Sequence, residues 1–297
     1  MKRISAFRRH VLLLALALVI AGAGQASAQP TDIDRVFNRL YNYDFTGAHA
    51  ILDEATRARP SDPLVYAVRG AAYLFAEFER QHILELKFFE SDDELTDHKK
   101  LKPDPAVREQ LLETTAEARR LATELLLSNP NDRDALFALC TAVGTETDYM
   151  ALIEKRYFKA YRLSKESQKY AHRLLALDPP DYDAYLTIGT VEYVVGSMNA
   201  FFRLFIRFDK IEGSKAKAQK DLETVIEHGR YYRPFAKVLL ASIHVREDRP
   251  AEALALLEEL DDEFPGNVLV KKEIVRVGAK IRASAANQEP PQTPLER

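Results

Sequence analysis

The residues able to do chemistry are few and scattered. Cys140 is the only cysteine, so no intramolecular disulfide can form. It falls at a small-residue slot of a helical pattern, where a buried thiol serves as packing and not as a nucleophile. Apart from His10, histidines stand at His49, His82, His98, His172, His228 and His244. Glu79-Arg80-Gln81-His82 would place a carboxylate and an imidazole on one side of a helix, a spacing that presents two metal ligands. Di-metal helical bundles need that spacing twice, with two more glutamates, and no second copy occurs. His98 stands among Asp92, Asp93, Glu94 and Asp97, a set that reads as a solvated acidic loop. The sequence holds no HExxH, no glycine-rich phosphate loop and no GxSxG. The expectation is therefore no catalytic residue, no metal and no cofactor.

Composition sets the frame in which side chains must be positioned. The chain has 297 residues, 46% of them hydrophobic, no Trp and 11 Gly. That mix suits packed helices. Lys2, Arg3, Arg8 and Arg9 precede an apolar run from Val11 to Ile20, and Ala26-Ser27-Ala28 closes it. The segment reads as a secretory signal peptide cut after Ala28. Its run is short for a bilayer core of about 30 Å, and no cysteine follows for a lipid anchor. Loss of its four cations takes the net charge from −3 to −7. The expected destination is the periplasm, with no transmembrane helix in the mature chain. An acidic exported chain is also a poor nucleic-acid binder.

A repeat then organises the remainder. Small residues recur at Ala48, Ala118, Ser167, Ala218 and Ala253, each followed by an apolar residue at Leu52, Ala122, Ala171, Leu222 and Leu257. Four units close on Pro60, Pro130, Pro179 and Pro265, and the fourth has Arg230 at that place. Preceding segments carry Tyr66, Gly70 and Tyr73; Leu136, Leu139, Cys140 and Val143; Tyr185, Ile188 and Gly189; then Leu240 and Ala241. This pattern resembles the tetratricopeptide repeat, in which two antiparallel helices, A and B, occupy about 34 residues. The resemblance covers most of residues 31–266. It implies an all-α fold: a right-handed α-solenoid of about five helical hairpins with a C-terminal capping helix. Small residues let helices A and B approach to about 8–10 Å. Proline ends each helix B. Asn267 opens the cap, whose apolar side is Val268, Val270, Ile274, Val277 and Ile281, and residues 287–297 read as a disordered tail.

Three units depart from the resemblance. The closing positions 60, 130, 179, 230 and 265 are 70, 49, 51 and 35 residues apart, so only the last spacing matches the repeat. The markers place the extra residues between helices A and B, near 75–110, 145–162 and 194–213. In the first insertion Ile83, Leu84, Leu86, Phe88 and Phe89 are expected to continue helix A. In the second, Asp148 is expected to cap a long helix B with an aromatic stripe of Tyr149, Tyr157, Phe158, Tyr161 and Tyr170. In the third, Phe201, Phe202, Phe205 and Phe208 follow helical spacing, with Arg203 and Arg207 on one face. That segment reads as a lid, with peripheral membrane contact through 201–210 as its rival.

The resemblance also implies a concave groove lined by helix A. Its candidate residues are Phe37 and Leu40, Leu64 and Leu74, then Phe137, Leu186 and Tyr193, and finally Phe235 and Val238. The groove is apolar and lacks the Lys and Asn set with which some relatives clamp a peptide carboxylate. Left bare, it would forfeit about 25 cal/mol for each Å², so the insertions, a partner or an apolar ligand must cover it. The resulting expectation is a non-catalytic periplasmic scaffold that binds protein partners. The alternative is an apolar-ligand-binding or transport-accessory protein.

Overall fold

A computed structural model describes residues 30–90, 101–177, 179–197 and 214–288. The chain divides at Thr31/Asp32, and every described helix belongs to the second unit. Among the described residues that unit has twelve α-helices, one π segment and no strand. The helices are α1 (Asp32–Tyr41), α2 (Phe45–Ala58), α3 (Pro63–Arg80), α4 (Leu86–Glu90), α5 (Pro105–Ser128) and α6 (Arg133–Asp148). After the π segment (Tyr149–Ile153) come α7 (Tyr157–Leu175), α8 (Ala184–Ser197), α9 (Lys215–His228), α10 (Arg233–Arg246), α11 (Pro250–Glu263) and α12 (Val268–Gln288).

Apart from the short α4, each helix packs on its neighbours in the chain. The hairpins are α1–α2, α3–α5, α6–α7, α8–α9 and α10–α11, and α12 covers α11. The five marker residues Ala48, Ala118, Ser167, Ala218 and Ala253 are all buried. Small buried side chains such as these let helix backbones approach closely. Between α6 and α7 the Ser167 hydroxyl donates to the Cys140 carbonyl at 3.1 Å. Six of the twelve starts are capped: Asp44, Asp62, Asp104, Asp132, Ser214 and Asn267 each accept from a backbone N–H in the first turn. Such caps satisfy donors that a helix leaves open.

Helices α1, α3 and α10 end alike, on a non-glycine residue with positive φ: Tyr43, His82 and Asp248. In each, the following N–H bonds back five residues: Asp44 to Arg39, Ile83 to Phe78, Arg249 to His244. This is the Schellman closure, usually made by glycine. It corrects the expected first insertion. Helix A stops at Arg80, and Ile83, Leu84, Leu86 and Phe88 turn back to be buried. Helix α4 packs on α10. The second insertion also differs. Asp148 ends α6 instead of capping helix B, the chain passes through the π segment, and α7 begins at Tyr157. The aromatic stripe is thereby split: Tyr149 is buried, whereas Phe158 is 91% exposed. In α12, Val270 and Val277 are buried, but Val268 is exposed.

The packing also joins residues far apart in sequence. Arg230, which stands where the other units have proline, donates to Asp34 on α1 from Nε at 3.0 Å and Nη2 at 2.8 Å. The Tyr41 hydroxyl donates to the Tyr231 carbonyl at 2.8 Å. Asn267 donates to the Tyr41 carbonyl at 2.9 Å, and the Gly266 N–H to Asn42 at 3.0 Å. Lys272 on α12 pairs with Glu85 at 2.8 Å. The first hairpin therefore touches the last elements, a contact that a stack of nearest neighbours alone would not make.

Candidate functional site

The face expected to be a groove is filled by the chain's own rings. Phe37, Leu40, Leu64, Leu74, Phe137 and Leu186 are buried, and Tyr193, Phe235 and Val238 are half-buried. The filling comes from the turn before α10. Tyr231 stacks on Phe37 with centroids 5.0 Å apart and lies 5.4 Å from Phe137. Tyr232 meets both rings at 5.6 Å, and its hydroxyl bonds Thr141 at 2.8 Å. Rings so placed contribute about 0.5–1.5 kcal/mol per pair beyond their burial.

One carboxylate holds that turn. Asp183 is buried, and its Oδ2 accepts from the N–H groups of Arg230 at 3.1 Å and Tyr231 at 2.9 Å, while Oδ1 accepts from Tyr232 at 2.9 Å. Burial raises its pKa against the pull of those three donors. Repeat spacing gives no sign of Tyr231 and Tyr232. The missing proline at position 230 is the available signal that this turn has another task.

Between the first and last hairpins a cavity of about 50 Å³ remains. Three groove candidates line it: Leu40, Phe235 and Val238. Tyr43 and Glu273, which no sequence pattern singles out, line it as well. Glu273 is 2% exposed; its Oε2 accepts from Arg276 Nε at 2.6 Å, and its Oε1 has no hydrogen-bond partner. Burial pushes the Tyr43 hydroxyl pKa upward, as do the carboxylates of Glu79, Glu273 and Glu85. Near it, burial works to raise the pKa of Glu85, but hydrogen bonds from Lys272 and Lys87 prevail and hold it down to about 2.

The outer surface offers a different feature. At the start of α7, Phe158 is 91% and Tyr157 46% exposed, and Arg156, Lys159 and Arg162 are exposed around them. Arg156 pairs with Glu154 at 3.5 Å. The insertion candidates Phe201, Phe202, Arg203, Phe205, Arg207 and Phe208 lie outside the described residues, as do the leader, His98 with its acidic neighbours, and residues 289–297.

The remaining reactive groups are placed as follows. Cys140 is buried, 3.4 Å from the Thr187 hydroxyl, and burial pushes its thiol pKa up. Glu79 and His82 do not share a helix face, since α3 ends at Arg80; His82 Nδ1 lies 3.1 Å from Glu85 instead. Among the described residues no three His, Cys, Asp or Glu side chains group as a metal site. Asp148 is half-buried, and burial pushes its pKa up to about 7. The run Arg133–Ile153 is long and apolar enough to cross a membrane, but 67% of its window is buried inside the protein. Comparison with protein-family models, with curated proteins and with solved structures finds no match to this chain.

Proposed function

We propose that this chain is a non-catalytic, exported scaffold built as a right-handed α-solenoid of five tetratricopeptide-like hairpins with a capping helix, and that it binds a protein partner. The hairpin order and the buried small residue at each crossing support the solenoid. The inner face is occupied by Tyr231 and Tyr232, so the partner docks outside. The observation that carries this reading is Phe158, 91% exposed at the start of α7. A large aromatic side chain left in water beside arginines is what interface centres are enriched in. The periplasm remains the proposed compartment, on the strength of the leader.

A photo-crosslinking amino acid placed at position 158 tests the reading, with one at exposed Glu258 on α11 as control. In the envelope of the producing cell, position 158 should give a discrete adduct that excess wild-type protein suppresses and excess Phe158→Ser protein does not. Equal, diffuse labelling from both positions overturns the proposal.

A further inference from the structure

We propose that the partner docked at Phe158 lays an acidic segment along the outer face of α7. The inference rests on the reading of Phe158 as a partner surface and names that partner's chemistry. Helix α7 carries Lys159, Arg162, Lys165, Lys169 and Arg173 against a single acid, Glu166. The chain as a whole is net −3, so the positive excess is local. The apolar side of α7, with Ala160, Leu163, Ala171 and Leu174, is buried, and this turns the opposite side outward. Phe158, Arg162, Lys165 and Lys169 follow at i, i+4, i+7 and i+11, which makes them one stripe, and all four are exposed.

The chain's own carboxylates do not neutralise this stripe. Glu166 is taken by Arg119 of α5 at 2.9 Å, and Glu154 by Arg108 and Arg156 at 2.5 and 3.5 Å. Among the described residues no carboxylate pairs with Lys159, Arg162 or Lys169. Other helices match their cations at home: Arg120 meets Glu117 and Glu124, and Lys237 meets Glu259 and Glu263. Like charges three and four residues apart on a helix repel. The bare stripe therefore works against α7, and an anionic partner relieves it. Helix α7 also starts without a capping side chain, and the positive end of its dipole adds to the same field. The occupant is a protein segment and not a lipid surface. A helix lying in a bilayer interface buries its apolar face there. Here that face is in the core, and the outward side offers only Phe158 and part of Tyr157 in the first turn. Length follows from geometry. Phe158 to Lys169 spans about 16 Å of helix, which an extended segment covers in about five residues. Three bare cations call for about three carboxylates within it.

The test compares photo-crosslinked adducts from position 158, formed in envelope extract, with and without the cations. Lys159→Glu, Arg162→Glu and Lys169→Glu are combined in one full-length chain, and helical circular dichroism checks its fold. The reversed chain should give about tenfold less adduct than the unreversed one, with the matching triple Gln chain between them. Raising salt from about 0.05 to 0.5 M shortens the screening length and should lower the unreversed yield about fivefold. Mass spectrometry should map the adduct to a segment with about three Asp or Glu in five residues. A discrete adduct that neither charge reversal nor salt reduces, or one mapped to a segment without those acids, overturns the inference and leaves the partner surface standing. No discrete adduct at all overturns both. Sedimentation with phosphatidylglycerol vesicles is the second arm: binding by the unreversed chain that the reversed chain lacks would give the stripe to lipid and overturn the inference. If the combined variant does not fold, Arg162→Glu alone, with about threefold less adduct expected, and the salt series decide.

Discussion

Replacing Gly70 by alanine tests the close approach on which the hairpins rest. Gly70 lies on α3 against α5, and a Cβ there would stand 2.7 Å from Thr115 Cγ2 and 3.4 Å from Thr114 Oγ1. Optimal carbon–carbon contact is about 3.5–4.0 Å, so something must move. Thr115 is fully buried, and its hydroxyl donates to the Leu112 carbonyl at 3.2 Å. Its β-branched side chain is stiff, and rotating it would break that bond. Against so stiff a contact the upper part of the usual overpacking range applies, about 2–3 kcal/mol, while removing a glycine from a helix interior returns about 1 kcal/mol. The expected net loss for Gly70→Ala is about 1–2 kcal/mol, or roughly 2–6 °C in Tm for a domain of this size. Gly144 on α6 is the control. Its added Cβ would meet only Ser167 Oγ, at 3.6 Å, an ordinary contact, so Gly144→Ala should gain up to about 1 kcal/mol from helix propensity. Thr115→Ser deletes the clashing methyl, and in the double variant with Gly70→Ala the coupling should be favourable by about 1–2 kcal/mol. Urea denaturation followed by helical circular dichroism measures all four variants. A Gly70→Ala chain as stable as wild type, or no coupling with Thr115→Ser, refutes the reasoning.

Two further predictions concern buried carboxylates. Asp183→Ala leaves the N–H groups of Arg230, Tyr231 and Tyr232 without their acceptor. It should lower stability by about 2–4 kcal/mol in urea melts, with Asp183→Asn falling between it and wild type. Asp148 has a folded pKa near 7, above its value of about 3.9 in an unfolded chain. Between those values the folded state holds the extra proton, so stability should fall as pH rises from about 4 to 7, and level off above. Urea melts across that range should show a loss of up to about 4 kcal/mol, at about 1.4 kcal/mol for each pH unit between the two pKa values, and Asp148→Asn should flatten it; a wild-type curve already flat there would show that the carboxyl is well solvated.

Much of the architecture was legible in the sequence because it depends on local spacing. A small residue at a crossing and a capping side chain each act within one hairpin, so Ala48, Ala118, Ser167, Ala218, Ala253 and Asn267 could be placed without coordinates. Helix ends were harder. Tyr43 and His82 adopt positive φ, a conformation that glycine announces and a tyrosine or histidine does not. The end of α3 at Arg80 and the π segment after Asp148 were therefore missed.

The sequence by itself determined that the chain is helical, that Ala48, Ala118, Ser167, Ala218 and Ala253 would be small residues inside helices, and that the candidate groove residues would be apolar. Only the tertiary structure decided what fills that face. Contacts between the first hairpin and the last elements join residues some 190–230 positions apart, which no local pattern encodes. Through them Arg230 reaches Asp34, Tyr231 stacks on Phe37, and Glu273 lies among rings from the far end of the chain.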